Sequence, residues 1–186
     1  YSGTFDPPTK AHLEIIKCAI GEVKNNESCK ELSANIKQLI VSVNKDGEKD
    51  TLTSSVERVL MLKKALEKYG KRIEVVASTP RDRDQIKEKI AQDNTDLYQL
   101  IGEDSFLALK PEVLSPVTVK EGNGKSKFIV LPRESESSGS ENNNHRTIDS
   151  SSISSDLQKM AQKHSDLVVL FPKLDANLST LSSTKA

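Results

Sequence analysis

The chain has 186 residues, of which 27 are lysine or arginine and 27 are aspartate or glutamate, so its formal net charge is zero. This length fits a single domain with a sizeable core. Without an excess of positive charge the chain lacks the field that gathers nucleic acid or an anionic membrane, and we expect neither as a partner. Hydrophobic residues make up 35% of the chain, without an apolar run of the roughly eighteen residues that span a bilayer. We expect a cytoplasmic or nuclear protein, and the sequence leaves a homo-oligomer open.

The two cysteines, Cys18 and Cys29, are too few for a disulfide scaffold and lack the spacing of metal ligands. We expect both to be reduced thiols, and we expect no metal site built from the protein's own side chains. The chain opens directly on a turn-like Ser2-Gly3-Thr4 and ends where hydroxyl side chains start a helix. We therefore expect the natural protein to extend beyond both ends.

The first half of the chain alternates helix and strand. Apolar residues at helical spacing over about residues 9–23 predict a helix, and the β-branched run at residues 38–43 predicts a buried strand. A capping box at Ser54 predicts the start of a second helix, whose apolar residues are Val56, Val59, Leu60, Leu66 and Tyr69.

The second half continues the alternation. Strands are predicted at residues 73–77, 97–101, 128–131 and 167–171, and helices after Thr79-Pro80 and at residues 157–163. Residues 134–155 are almost devoid of apolar side chains, which predicts a flexible loop or insertion. Alternating apolar strands and amphipathic helices predict one α/β domain over residues 1–186, a doubly wound parallel sheet.

Ligands of such sheets bind beyond the carboxyl ends of the strands, where the winding reverses. The first strand-end segment runs from Ser2 to Leu13. A glycine at its turn lets backbone N–H groups approach a phosphate, and the following helix offers its positive end to an anion. His12 falls in the first turn of that helix and faces the same anion. The alternative is a proline-marked turn with a histidine that only packs or caps.

Two further segments have the chemistry of a nucleotide site. Gly102 and Asp104 follow a predicted strand, where a carboxylate suits ribose hydroxyls and a glycine lets a base lie close. Alternatively, Asp104 only caps a short helix through Leu109. The three hydroxyls at residues 182–184 open a helix and predict a phosphate cradle, or else an ordinary helix cap.

Three cations also follow predicted strands, namely Lys45, Lys49 and Arg133. Arg133 is a candidate phosphate ligand through a bidentate contact, and Lys49 is a candidate only through the family resemblance given below. The competing interpretations are a solvated charged loop for the lysines and a surface ion pair for Arg133.

In this order, the three segments resemble the motifs of one superfamily. Residues 2–12 read SGTFDPPTKAH and resemble the G-[TS]-F-[DN]-P-x-[HT]-x-G-H signature of adenylyltransferases and cytidylyltransferases. GEDSF at 102–106 resembles the G-x-D motif of the pyridine-nucleotide members, and LSST at 181–184 resembles their I-S-S-T-x-[IV]-R. Residues 54–66 look like the helix that carries R-x-x-M-L. The sequence thus resembles the nicotinamide and nicotinate mononucleotide adenylyltransferases.

This resemblance implies a Rossmann-like nucleotidyltransferase fold and an enzyme that binds ATP with Mg²⁺. The 5′-phosphate of a pyridine mononucleotide would attack the α-phosphorus directly, releasing pyrophosphate and forming a dinucleotide without a covalent enzyme intermediate. His12 would donate to the α-phosphate oxygens, and Thr9 matches a motif position that is histidine or threonine in the family. The residues implied to bind ATP are Gly3, Thr4 and Phe5 at the phosphate loop, Gly102 and Asp104 at the adenosine, and Ser182, Ser183 and Thr184 at the β,γ-phosphates.

Two alternatives stay open. Thr9 and the run at residues 12–16 also resemble the branch that uses another acceptor, such as phosphopantetheine. Ala11, where the family has glycine, and the insertion are compatible with a regulatory module that holds ATP without turnover. Family members often stack the pyridine ring on a tryptophan; this chain has none, so Phe106, Tyr98 or Phe171 would serve.

Overall fold

The structure is a computed structural model that describes residues 1–23, 25–47, 50–93, 95–109, 126–131 and 155–172. Strands and helices alternate along these residues, as the apolar pattern predicts. The strands are β1 (Ser2–Gly3), β2 (Leu39–Asn44), β3 (Ile73–Ser78), β4 (Leu97–Gly102), β5 (Ser126–Leu131) and β6 (Val168–Leu170). The helices are α1 (Lys10–Ala19), α2 (Glu27–Ala34), α3 (Ser55–Leu66), α4 (Pro80–Gln92), α5 (Glu103–Leu107) and α6 (Ser155–Lys163), with a 3₁₀ segment at Glu67–Arg72.

The described strands form two three-stranded parallel sheets, ordered β1-β2-β3 and β4-β5-β6. Gly3 pairs with Val43, and Val43 with Ala77, so the carboxyl ends of the first three strands meet at one edge. Gly102 pairs with Leu131 at the corresponding edge of the second sheet. Helix α4 contacts both β3 and β4 and carries the chain from one sheet to the other. The predicted α/β fold with parallel, helix-covered strands is confirmed, and the carboxyl edges are where its ligands belong.

Two hydrophobic clusters hold these layers together. The larger one joins both sheets, because Val41 and Val43 of β2 belong to the same buried cluster as Leu100 of β4 and Ile129 of β5. The smaller one lies between the second sheet and helices α5 and α6, and its buried members are Phe106, Phe128, Val130, Leu157 and Val168. Both clusters are built from the strands and the helices that pack on them, so the loops at the carboxyl ends of the strands are anchored to a close-packed core.

The first predicted helix is shorter than residues 9–23, and the expectation of reduced thiols is wrong. Helix α1 ends at Ala19, Gly21 turns the chain with a positive φ of 75°, and α2 follows. This hairpin brings the buried Cys18 and Cys29 together as a disulfide, with a Cα–Cα distance of 4.9 Å. Sequence spacing could not show the pairing, because it depends on a turn and a helix that the apolar pattern does not reveal.

Helix α3 begins at the predicted capping box, but its buried face agrees with the predicted one only in part. Leu66 is buried as predicted, whereas Val56 is 64% exposed and Leu60 is 59% exposed. The other buried residues of α3 are Ser55, Arg58 and Leu62. A serine and an arginine on the inner face mask the true periodicity.

The remaining boundaries agree closely with the predictions. Thr79 and Asp82 exchange capping hydrogen bonds at the start of α4, Thr79 N–H to Asp82 Oδ2 at 2.9 Å and Asp82 N–H to Thr79 Oγ1 at 3.2 Å. The predicted insertion at residues 134–155 lies outside the described residues, apart from Ser155, which begins α6. Among the helices described, none is long and apolar enough to cross a membrane.

Candidate active site

The N-terminus of α1 is organised by Thr9 and His12. Thr9 is the N-cap, and its hydroxyl accepts from the His12 backbone N–H at 3.4 Å. In return, the Thr9 backbone N–H donates to Nδ1 of the His12 imidazole at 3.0 Å. This is a capping box with histidine in the place that glutamate or glutamine usually fills.

The capping box also sets the tautomer of His12. Because Nδ1 accepts the Thr9 N–H, the proton of the neutral ring lies on Nε2. No hydrogen bond joins Nε2 to any residue in the part of the chain that the structure describes. Burial lowers the pKa of His12, so the ring is neutral at pH 7. Its edge packs against the Phe5 ring, with the centroids 4.9 Å apart, and this contact fixes its orientation. The Nε2–H of His12 is therefore a donor of fixed orientation beside the carboxyl end of β1.

We expect the pKa of His12 to lie below 6.5, the ordinary value for histidine. The unfolded chain then binds the proton more readily than the folded one. The neutral ring contributes fully to the free energy of unfolding above the pKa that His12 has in the unfolded chain. This contribution is lost as the pH falls from that pKa to the lower pKa of the folded chain. Protonated Nδ1 can no longer accept from Thr9, so the start of α1 should loosen in the same range. NMR titration of the ring, assigned with His12→Gln, measures the pKa, and a value at or above 6.5 would contradict this structure.

Phe5 takes part in the core, and its side chain is not available to a ligand. The side chain is 2% exposed, and a Cβ added to Gly3 would lie 3.1 Å from its ring. The structural reason for glycine at position 3 is therefore the close approach of this ring. Phe5 has a φ of 54°, in the left-handed region that phenylalanine rarely adopts. Of the predicted phosphate loop, Phe5 can offer only its backbone.

Arg58 is the site residue to which sequence reasoning assigned no role. Its guanidinium is fully buried, and Nη1 donates to the Thr4 carbonyl at 2.6 Å. Nη2 donates to Asp46 Oδ1 at 2.9 Å, and Nε donates to the Ser54 carbonyl at 3.3 Å. The loop after β1, the loop after β2 and the start of α3 thus meet at one side chain.

A second group of hydrogen bonds, made by Asp6, holds the loop after β1. The Asp6 carboxylate accepts from the Thr53 hydroxyl at 2.6 Å, from the Thr53 backbone N–H at 3.1 Å, and from the Leu52 backbone N–H. The hydrogen bond from the Thr53 hydroxyl is the main reason why the pKa of Asp6 lies below its usual range. Asp6 is therefore a structural anion that ties the loop to the segment before α3.

Gly102 lies at the carboxyl end of β4 beside open space. A Cβ added there would meet no protein atom within 4 Å. A cavity of about 920 Å³ runs along β4 under α4 and is bordered by Gly102, Ser2 and Arg83. Gly102, and not Asp104, is the N-cap residue of α5, which ends at Leu107, so the expected helix through Leu109 is corrected. Asp104 is exposed in the first turn of α5.

Two cations lie at the edge of the first sheet. Nη1 of Arg83 donates to Asn44 Oδ1 at 3.2 Å and to the Ser78 carbonyl at 3.1 Å, at the ends of β2 and β3. A basic residue just after the Thr79-Pro80 helix start was the signal that could have found it. Lys45 is half-exposed and pairs with Asp82 at 3.1 Å, which agrees with the interpretation of a solvated charged loop.

The expected aromatic platform is wrong for two of its three candidates. Phe106 and Phe171 are buried in the hydrophobic clusters and cannot stack on a ligand. Tyr98 is only partly buried on β4. The predicted phosphate contacts Lys49, Arg133, Ser182, Ser183 and Thr184 lie outside the described residues.

Comparison with known proteins shows the family to which the chain belongs. Residues 1–185 match the model of the cytidylyltransferase-like family. A phosphopantetheine adenylyltransferase of Desulforamulus reducens is 36% identical over 69 residues, which cover 37% of this chain and 35% of that protein. The aligned segment thus spans about a third of the bacterial relative. The match over nearly the whole chain shows that this protein belongs to the cytidylyltransferase-like family.

Proposed function

We propose that this protein is an adenylyltransferase, which joins ATP to an acceptor bearing a phosphate and releases pyrophosphate. The observation that carries the proposal is the His12 donor, held by Thr9 and Phe5 at the N-terminus of α1 beside the end of β1. Helix N-termini stabilise phosphate oxygens, and transfer of a nucleotidyl group needs positioning and charge stabilisation more than covalent help. Membership of the cytidylyltransferase-like family supports the same chemistry.

The proposed reaction is one in-line displacement. An oxygen of the acceptor phosphate attacks the α-phosphorus and forms a new O–P bond, while the bond from the α-phosphorus to the bridging oxygen of the β-phosphate breaks. Negative charge that grows on the α-phosphate oxygens is met by Nε2–H of His12 and by the positive end of α1. Gly102 leaves room for the adenosine at the end of β4.

Magnesium enters this proposal with the substrate, as MgATP. The described residues contain no group of three or more histidine, cysteine, aspartate or glutamate side chains that could hold a metal ion. Asp6, the carboxylate of the first loop, is engaged by Thr53 and Leu52. The tasks proposed for the described residues are to position the triphosphate and to donate hydrogen bonds to it.

Two acceptors are candidates. A pyridine mononucleotide, nicotinamide or nicotinate, is the acceptor that the strand-end motifs favour. Phosphopantetheine is the second, favoured by the bacterial relative and by the burial of Phe106 and Phe171. Aromatic rings stack favourably on a pyridine ring, and of the three candidate rings only Tyr98 is partly accessible.

A pyrophosphate-release assay tests the proposal. We expect release with MgATP and one of nicotinamide mononucleotide, nicotinate mononucleotide or phosphopantetheine, and much less with CTP in place of ATP. MgATP alone should raise the melting temperature, because ligand at a hundredfold excess over Kd stabilises by about 2.7 kcal/mol. Stabilisation by ATP without turnover of any acceptor would favour the regulatory-module alternative. An unchanged melting temperature at millimolar ATP would overturn nucleotide binding itself.

A further inference from the structure

The buried guanidinium of Arg58 acts on a single peptide bond of the first loop. Its Nη1 binds the Thr4 carbonyl at 2.6 Å, across a sequence separation of 54 residues. The peptide that contains this carbonyl also contains the N–H of Phe5, the residue with the positive φ of 54°. In a trans peptide the carbonyl and the N–H point in opposite directions. Because Arg58 holds the Thr4 carbonyl towards α3, the Phe5 N–H faces away from α3.

The two terminal nitrogens of the Arg58 guanidinium donate in different directions, like a fork. Nη1 donates to the Thr4 carbonyl, and Nη2 donates to Asp46, which also accepts from the Ser55 backbone N–H at 2.6 Å. The geometry needs a planar group that donates in two directions from a buried position, which arginine provides and lysine does not. Backbone strain of the kind seen at Phe5 persists only where the surroundings over-determine it, and it gathers at functional sites.

We propose that Arg58 is a positioning residue for nucleotidyl transfer, which sets the Thr4–Phe5 peptide so that the Phe5 N–H serves as a second donor to the nucleotide phosphates. This inference rests on the proposed function. Arg58 touches no substrate; it acts through the peptide that it holds. Asp46 keeps the guanidinium in place and ties the loop after β2 to the same contact.

The main test is Arg58→Lys, which keeps the charge but loses the fork. We expect kcat to fall by roughly ten- to a hundredfold with little change in ATP affinity, since a misaimed donor costs transition-state stabilisation. The matched control is Arg72→Lys, because Arg72 Nη2 also donates to a backbone carbonyl, that of Ile36, at 3.3 Å, but at the amino ends of β2 and β3 and not at their carboxyl ends. Arg72→Lys should leave kcat unchanged. If Arg58→Lys keeps kcat within threefold of the parent, the inference is wrong even where the variant melts earlier.

A second readout separates this inference from the proposed function. A residue with positive φ gives a strong intraresidue NOE between its amide and α protons, which we expect for Phe5 in the parent and expect to weaken in Arg58→Lys. A strong NOE retained in the variant would show that Arg58 does not set the peptide. Should Arg58→Lys fail to fold, Asp46→Asn, at a half-exposed side chain, tests the same fork. We expect it to weaken the Phe5 NOE and lower kcat several-fold, and an unchanged NOE and kcat would overturn the inference.

If the parent transfers to no acceptor, the proposed function fails, and the Phe5 amide shift on adding MgATP then replaces kcat. A shift in the parent that is lost in Arg58→Lys supports the positioning role. Absence of any shift in the parent overturns it.

Discussion

Replacing His12 by alanine is expected to lower turnover by about a hundred- to a thousandfold, with little change in ATP affinity. Removing one preorganised donor to developing charge typically costs about 2.7–4 kcal/mol of transition-state stabilisation. The structure supports this use of His12, because its Nε2–H is held by the Thr9 bond on Nδ1 and by the Phe5 ring. Steady-state kinetics with the acceptor that the parent uses, together with ATP titration, measure both quantities.

The same substitution also removes part of a helix cap. Without the imidazole the Thr9 backbone N–H loses its acceptor, and lost caps cost about 0.5–2 kcal/mol. His12→Gln separates the two effects, because glutamine at this helix position restores the acceptor of the capping box but not the imidazole donor. We expect His12→Gln to melt close to the parent and still turn over slowly.

Thr9→Ala is the opposite control. It removes the hydroxyl, which accepts from the His12 backbone N–H and lies 3.0 Å from His12 Nδ1, but it keeps the Thr9 N–H that donates to the same ring nitrogen. It should lower the melting temperature and keep most of the turnover. If His12→Ala and Thr9→Ala both melt early and both keep turnover within a few-fold, His12 is a capping residue and the proposed mechanism is wrong.

The fold was predictable where one segment alone carries the signal. Strands β2 to β6 were predicted because short apolar runs bounded by turns need no knowledge of their neighbours, whereas Ser2–Gly3, predicted as part of a turn, forms β1. Helix α2 was missed because Cys29 is its only buried residue, which leaves no apolar periodicity to detect. The buried face of α3 was predicted only in part, because Arg58 lies on it and a sequence pattern places an arginine in solvent.

The site was predictable in its position but not in its internal contacts. The strand-end rule led to Gly3, His12 and Gly102, which the structure places at carboxyl ends of parallel strands or at the helix that follows. The sequence could not show that Arg58 holds the loop after β1, because Arg58 and Thr4 lie far apart in sequence. The resemblance to the family placed Phe5 in a phosphate loop, but it could not show that the Phe5 ring fills the space over Gly3.

Replacing Phe5 by alanine is expected to lower the free energy of unfolding by about 3–5 kcal/mol, since large-to-small changes of buried phenylalanine leave a cavity. The ring is almost fully buried between Tyr1, with centroids 5.3 Å apart, and His12. Phe5→Leu keeps much of the buried volume and should cost about 1–2 kcal/mol. Urea unfolding followed by circular dichroism gives both values.

The effect of Phe5→Ala on turnover distinguishes a residue that supports the site from one that only fills the core. Because its ring fixes the edge of the His12 imidazole, the loss should lower turnover of the folded enzyme as well as stability. Phe128→Ala is the matched control, a buried phenylalanine of the smaller cluster, which should lose a similar free energy of unfolding but keep its turnover while folded. A cost below about 1 kcal/mol for Phe5→Ala would contradict its place in the core, since cavity formation alone exceeds that value. Equal turnover in the two variants would instead mean that Thr9 alone orients His12, and that the Phe5 ring serves the fold and not the reaction.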